Sequence, residues 1–197
     1  MRKRLIGFRR IIASAAIVAL FAMVSGLANS GTANAARPAP QVQWVNHFDL
    51  VPGDPTDTTA TPLEHPSFGT NFEGLVITSL TTGDTIPNVG NKVVFMSLEL
   101  PKQTKITGVR LCYELSNTRS FIDGIRLAQI NNVDGSTALV QLDDGTSQNA
   151  SGPTCVNSAL VTPAIKASAG PIVLSFRLNF GDITDQIVIH SVGLLVK

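Results

Sequence analysis

Residues 171–180 read Pro171-Ile172-Val173-Leu174-Ser175-Phe176-Arg177-Leu178-Asn179-Phe180, and their alternation decides the fold class. Ile172, Leu174, Phe176, Leu178 and Phe180 fall on one side of an extended chain, with Ser175, Arg177 and Asn179 on the other. Successive side chains of a β-strand point to opposite faces, so one face here is core and the other meets water. Two stretches repeat the pattern: 92–100 aligns Val94, Met96, Leu98 and Leu100, and 107–115 aligns Val109, Leu111, Tyr113 and Leu115. Further strands are predicted at 41–48, 74–80, 121–130, 137–142, 155–161 and 186–196. Turn residues separate them at Thr82-Gly83-Asp84, Gly90-Asn91, 131–135 and Asp143-Asp144-Gly145. The nearest approach to a helical stripe after residue 35 is 158–169, which Pro163 interrupts. The expectation is an all-β fold, an antiparallel β-sandwich of jelly-roll-like type with eight or nine strands.

Two regions break the regularity. Residues 49–71 carry Pro52, Pro55, Pro62 and Pro66 among Asp and Thr residues, so they cannot form a central strand. They read as an extended arm, giving 36–72 as strand plus arm and 73–197 as the sandwich domain. The stretch 186–196 is apolar on both faces, with Ile187, Ile189 and Leu195 opposed to Val188, Val192, Leu194 and Val196. Either it is a central strand covered on both sides, by a partner or by the arm, or Gly193 marks a bulge that switches faces.

The N-terminus is of another kind. Arg2, Lys3, Arg4, Arg9 and Arg10 precede an apolar run over 11–24, and Ala33-Asn34-Ala35 then offers a small-residue cleavage site. Fourteen apolar residues at about 1.5 Å each fall short of the roughly 30 Å of a bilayer core. Residues 1–35 are therefore expected to be a signal peptide cut between Ala35 and Ala36. The product would be a secreted or periplasmic protein with no membrane anchor after cleavage. Removing five cations leaves ten Lys and Arg against fourteen Asp and Glu, a net charge near −4. Such a balance argues against nucleic acid as a partner.

The two cysteines, Cys112 and Cys155, both lie in the exported part, and an oxidising compartment would pair them. Cys112 shares its strand face with Arg110 and Glu114, opposite the apolar set, so the disulfide is expected on the outer side of its sheet.

Catalytic signatures are missing from the sequence. Ala167-Ser168-Ala169-Gly170 lacks the first glycine of a nucleophile elbow, and His47, His65 and His190 are scattered without metal-ligand spacing. Glycosidases need two carboxyls about 5 to 9.5 Å apart. If the strands bearing Glu99 and Glu114 form a hairpin, those two stand about 26 Å apart by strand rise. Glu–Asp combinations across loops stay open. No catalytic residue, metal ligand or cofactor is assigned; the one cofactor considered is a structural calcium at Asp143-Asp144, at Asp182 with Asp185, or at Asp54 with Asp57, where ordinary turn chemistry explains the residues equally.

For sugar stacking Trp44, Phe48, Phe68 and Phe72 are the candidate platform, clustered near the arm, and core packing or anchoring the arm explains them as well. A polar binding face is suggested by Arg110, Glu114, Arg126, Arg177 and Asn179, if their strands are neighbours. Asp123-Gly124 inside a strand pattern reads as a bulge rather than a ligand site, and Asn149-Ala150-Ser151 fits the glycosylation pattern. The functional reading is an exported, non-catalytic sandwich with a binding or structural role and a protein or glycan partner. Its rival is a secreted carbohydrate-active protein, lectin-like or an Asp-dependent glycoside hydrolase. A concave cleft with two carboxyls favours the hydrolase, and a convex or covered sheet favours a structural role.

Overall fold

The computed structural model describes residues 41–63, 74–130 and 138–197. The expected signal peptide over 1–35 with its Ala35/Ala36 junction, His65, Phe68, Phe72 and the turn expected at 131–135 lie outside the described residues. Along the chain run strands β1 (Gln41–Val45), β2 (Val51–Pro52), β3 (Thr58–Leu63), β4 (Gly74–Ser79), β5 (Thr85–Ile86), β6 (Gly90–Asn91), β7 (Val93–Leu98) and β8 (Lys105–Leu115), then β9 (Phe121–Ile130), β10 (Ala138–Asp144), β11 (Thr154–Asn157), β12 (Ile165–Lys166), β13 (Ile172–Asn179) and β14 (Ile187–Val196). The only helical turns among the described residues are 3-10 turns at His47–Asp49 and Ala167–Ala169, and no helix there is long and apolar enough to cross a membrane. One sheet has the order β11-β8-β14-β4-β3, with β1 also beside β14 and β12 beside β8; the other has the order β10-β9-β13-β7-β2. All these pairs are antiparallel. The fold is the antiparallel, jelly-roll-like β-sandwich that the alternation predicts.

The inward faces form the core. Ile172, Leu174, Phe176, Leu178 and Phe180 are buried to 2 % exposure or less, and Val94, Met96, Val109, Leu111, Tyr113, Ile187, Ile189, Val192 and Leu194 join them in one cluster. Buried apolar surface of this kind is the main favourable term in folding.

Three expectations change. Residues 41–63 belong to the sandwich: β1 lines up beside β14, β2 edges the smaller sheet and β3 edges the larger one. Pro52 and Pro62 are tolerated because an edge strand has one side free of ladder bonds. β7 and β8 lie in different sheets and make no hairpin, so Glu99, which follows β7, and Glu114 in β8 are separated by topology. β14 is a central strand, and a bulge does switch its faces, but at His190 and not at Gly193, since Ile189 pairs with Tyr113 and Ser191 with Cys112. It brings Val192 and Leu194 inward after Ile187 and Ile189. Leu195, facing outward, is 4 % exposed because it packs at Gly108 beside Ser158 and Leu160, so the chain covers this strand with its own segment.

Lys92 has the same strand parity as Val94 and Met96 and is fully buried. Its three N–H donors reach the carbonyls of Thr81 (2.5 Å), Thr82 (3.0 Å) and Gly83 (3.2 Å), while Asp57 Oδ2 lies 4.0 Å away and the Phe180 ring 5.9 Å. Asp57 in turn accepts hydroxyl bonds from Thr81 (2.5 Å), Ser79 (2.7 Å) and Thr58 (3.0 Å). Burial pushes the ammonium below its ordinary value, and Asp57 and then Asp84 pull it back. For Asp57 burial favours the neutral acid, yet the three hydroxyls and Lys92 together hold the carboxyl below the usual range.

The disulfide joins Cys112 in β8 to Cys155 in β11, residues directly opposed in register. Cys155 is exposed and Cys112 stays outside the core cluster, so the bond lies on the outer side of the sheet, as its strand face predicts.

Lys92→Ala should lower the unfolding free energy in urea melts by about 3–5 kcal/mol, because it strands a buried carboxylate and three carbonyls. Asp57, Asp144 and Asp185 all titrate below their unfolded values. The unfolded chain therefore takes up protons first on acidification; the stability these groups contribute is present above about pH 5 and lost as pH falls through their folded values. Urea midpoints recorded from pH 6 to pH 3 should decline accordingly. Under denaturing, non-reducing conditions the protein should show no titratable thiol, and Cys112→Ser should reduce stability by up to about 4 kcal/mol for a 43-residue separation.

Candidate functional site

The outer face of the β10-β9-β13-β7-β2 sheet carries the polar side of each alternating strand. Register sets Val51 beside Phe95, Phe95 beside Ser175, Ser175 beside Arg126 and Arg126 beside Asp143, a row crossing all five strands. The adjacent row sets Val93 beside Arg177 and Arg177 beside Gly124. Ser175 and Gly124 keep the middle low while long side chains rise around it. The result is a cleft of about 240 Å³ lined by Asn91, Val93, Asp123, Gly124, Arg126, Asp143, Gly145, Ser175 and Arg177.

Asp123 reaches this cleft because β9 is irregular. Arg177 pairs with Gly124 and Leu178 with Ile122, leaving Asp123 as the extra residue of a bulge. The Asp123-Gly124 break in alternation is thus the bulge it was read as, and the bulge itself aims a carboxylate at the cleft. Lys92 fixes the opposite wall: with its own side chain buried, its neighbours Asn91 and Val93 face outward.

Two arginine–carboxylate pairs dominate the chemistry. Arg126 donates to Asp143 in bidentate fashion, Nε to Oδ1 at 3.2 Å and Nη2 to Oδ2 at 2.7 Å, which raises the guanidinium further above its ordinary value. Arg177 Nη2 donates to the Asp123 carboxylate and, at 3.4 Å, to its carbonyl, and Ser147 Oγ adds a bond of 3.0 Å to Asp123. Arg177 Nε is buried with no hydrogen-bond partner among the described residues. Such an orphan donor is uncommon in a native protein and marks a place where a ligand can complete the network. Beyond Val93 the face continues into Phe95 and Val51, which are 36 % and 48 % exposed.

Of the five residues expected to share a face, Arg126, Arg177 and Asn179 do, and the first two line the cleft. Arg110 and Glu114 do not: β8 belongs to the other sheet, where Arg110 reaches Asn157 at 3.5 Å and Glu114 lies 3.3 Å from His190. Sequence reasoning missed Asn91 and Ser175 as site residues and weighed Asp143 only for calcium, although the parity of 171–180 already puts Ser175 with Arg177.

The aspartates weighed for calcium are engaged within the protein. Asp54 accepts from Thr56, Asp57 from its three hydroxyls, and Asp144 from the Ala159 N–H at 2.6 Å. Asp182 accepts from Thr184, and Asp185 binds Arg119 twice and Ser120 once. No group of three or more His, Cys, Asp or Glu side chains among the described residues could hold a metal ion. Asp123 and Asp143 do place two carboxyls in one cleft, the feature a hydrolase requires. Each of the two is bonded to an arginine, Asp123 to Arg177 and Asp143 to Arg126.

No protein-family model matches the chain, and no curated protein sequence matches it. Solved structures do. The CBM22-1–GH10 modules of Clostridium thermocellum xylanase 10B, complexed with xylohexaose, align with 82 % of this chain at 12 % identity and a TM-score of 0.52; the chain spans 29 % of that protein's length. The CBM22-1 xylan-binding domain of Paenibacillus barcinonensis Xyn10C aligns over 82 % of this chain and 97 % of its own at 8 % identity, TM-score 0.47. A CBM36 module in complex with calcium and xylotriose aligns over 77 % and 98 % at 14 % identity, TM-score 0.42. At these identities the likeness concerns the fold, and it is carried by the first of the three.

Proposed function

We propose that this chain is an exported, non-catalytic glycan-binding β-sandwich that holds a neutral polysaccharide in the Arg126/Arg177 cleft. The observation that carries the reading is the pairing of Arg126 with Asp143 and Arg177 with Asp123 around a low floor, beside an apolar strip of Val93, Phe95 and Val51. A pyranose ring has apolar C–H faces and a rim of hydroxyls that both donate and accept. Carboxylates take its O–H donors, guanidinium N–H groups give to its oxygens, and the apolar strip covers ring carbons. Because each guanidinium is neutralised by its own aspartate, the cleft presents no net charge, which favours neutral sugars over uronates. The first polysaccharide to test is xylan, since the fold neighbour of highest similarity score named above is complexed with xylohexaose.

The hydrolase reading rests on the two cleft carboxyls and is separable from binding. Incubation with arabinoxylan should release no reducing ends, and D123N with D143N should change binding alone.

In affinity electrophoresis against soluble arabinoxylan, mixed-linkage β-glucan and galactomannan, one polysaccharide should retard the protein. R126A and R177A should each weaken that retardation about tenfold, the worth of one lost charge-assisted hydrogen bond. Chelation of calcium should leave it unchanged. Retardation by no polysaccharide, together with capture of a protein partner alone, would overturn the reading.

A further inference from the structure

Gly193 of β14 sits in register between Trp44 of β1 and Arg110 of β8, and Arg110 pairs with Asn157 of β11. Leu194, Val109 and Leu111 on the same strands are fully buried inward, so this row belongs to the outer face of the larger sheet, on the far side of the sandwich from the arginine cleft. A Cβ on Gly193 would lie 3.1 and 3.2 Å from two carbons of the indole's six-membered ring. The Cε3–Cζ3 edge of the ring therefore lies against the glycine, and a side chain at 193 would meet both it and Val42 Cγ1, 2.5 Å from the same Cβ position. Yet Trp44 remains 55 % exposed: one part rests on the sheet and the rest meets water. A large aromatic held against the backbone along one edge and left open elsewhere has lost part of its conformational freedom before any ligand arrives.

The surroundings specify the ligand. Arg110 and Asn157 stand in the same row as hydrogen-bonding groups, and Trp44 also borders a cleft of about 440 Å³ in which the polar Gln43, Asn46, Asp49, Ser97 and Glu99 are joined by Val45, Met96, Leu98 and Leu100. An aromatic platform with a polar rim suits a molecule that is apolar on its flat face and polar at its edge. A hydrophobic protein partner would call instead for a continuous apolar patch.

We infer that Trp44 is the platform of a second glycan site, on which a pyranose ring of a polysaccharide stacks its C–H face while Arg110 and Asn157 hold its hydroxyls. The inference rests on the glycan-binding reading but concerns the opposite sheet, and makes the module bivalent. Bivalence raises avidity toward a long or surface-bound polysaccharide that reaches both faces, without any change in either site.

Trp44 is the sole tryptophan of the sequence, so its emission reports on this site alone. The protein and its R126A/R177A variant are titrated with arabinoxylan, mixed-linkage β-glucan and galactomannan. Emission should move to shorter wavelength and acrylamide quenching should fall in both, because stacking excludes water from the indole in the platform whether or not the cleft is intact. By affinity electrophoresis in the R126A/R177A background, W44A should weaken binding about tenfold, while W44F, which keeps an aromatic face, should stay within about threefold. Thermal melts confirm that each variant is folded. Unchanged emission at saturation with a polysaccharide that the protein binds through the arginine cleft overturns the second site and leaves the first standing. Binding of no polysaccharide by the unaltered protein overturns both.

Discussion

A lysine ammonium with no solvent exposure is the constraint around which this sandwich is arranged. Taking such a charge out of water costs several kcal/mol unless its donors are satisfied. Three carbonyls from one turn of the 81–83 loop supply that satisfaction for Lys92, and Asp57 supplies the balancing charge. The geometry needed to do so fixes three pieces of chain at once. Asp57 comes from the turn leading into β3, the carbonyls from the loop after β4, and Lys92 itself starts β7 in the opposite sheet. The loop is tied further by reciprocal backbone bonds between Gly83 and Phe180, 2.7 and 3.1 Å long, with Gly83 in the left-handed region at φ +81° where a side chain would be strained. Both sheets and the proline-rich segment are thus stitched at one corner, and Asn91 and Val93 are delivered to the cleft as a by-product of burying the residue between them.

Alternation made the sheets legible. A run such as 171–180 can satisfy its apolar side in only one way, and the strands expected at 74–80, 92–100, 107–115 and 121–130 occur within a residue or two of their predicted bounds. What alternation cannot carry is which strand neighbours which. Glu99 and Glu114 belong to strands consecutive in sequence, yet the chain crosses to the other sheet between them, and no local feature of 99–106 announces the crossing. The proline-bearing segment was unreadable for a related reason. Edge strands such as β2 and β3 need half the ladder bonds of a central strand, so they tolerate Pro52 and Pro62 and leave a weak signature. The burial of Lys92 went unread, because its charge argues for solvent although its parity with Val94 and Met96 points inward.

The cleft shows how a defect in periodicity becomes chemistry. Asp123 would face the core if β9 ran regularly from Ile125 backwards, as Ile125 and Leu127 do. One extra residue rotates it outward to meet Arg177, and a second irregularity, between Val140 and Leu142 in β10, brings Asp143 level with Arg126. Both ion pairs of the site therefore depend on bulges. A break in alternation flanked by glycine was legible as a bulge, but its consequence was not, because the partner of the re-aimed side chain comes from a strand more than fifty residues away.

The same reasoning bears on the proposed binding role of the cleft. Catalysis by a carboxyl pair requires the two groups to differ, one kept protonated by an apolar or anionic setting and the other charged. Here the two bulges do equivalent things, each placing an aspartate against an arginine. The paired charges give a surface rich in fixed donors and acceptors. Such a surface can order hydroxyl groups at little reorganisation cost, since both arginines and both aspartates are already held by their ion-pair partners.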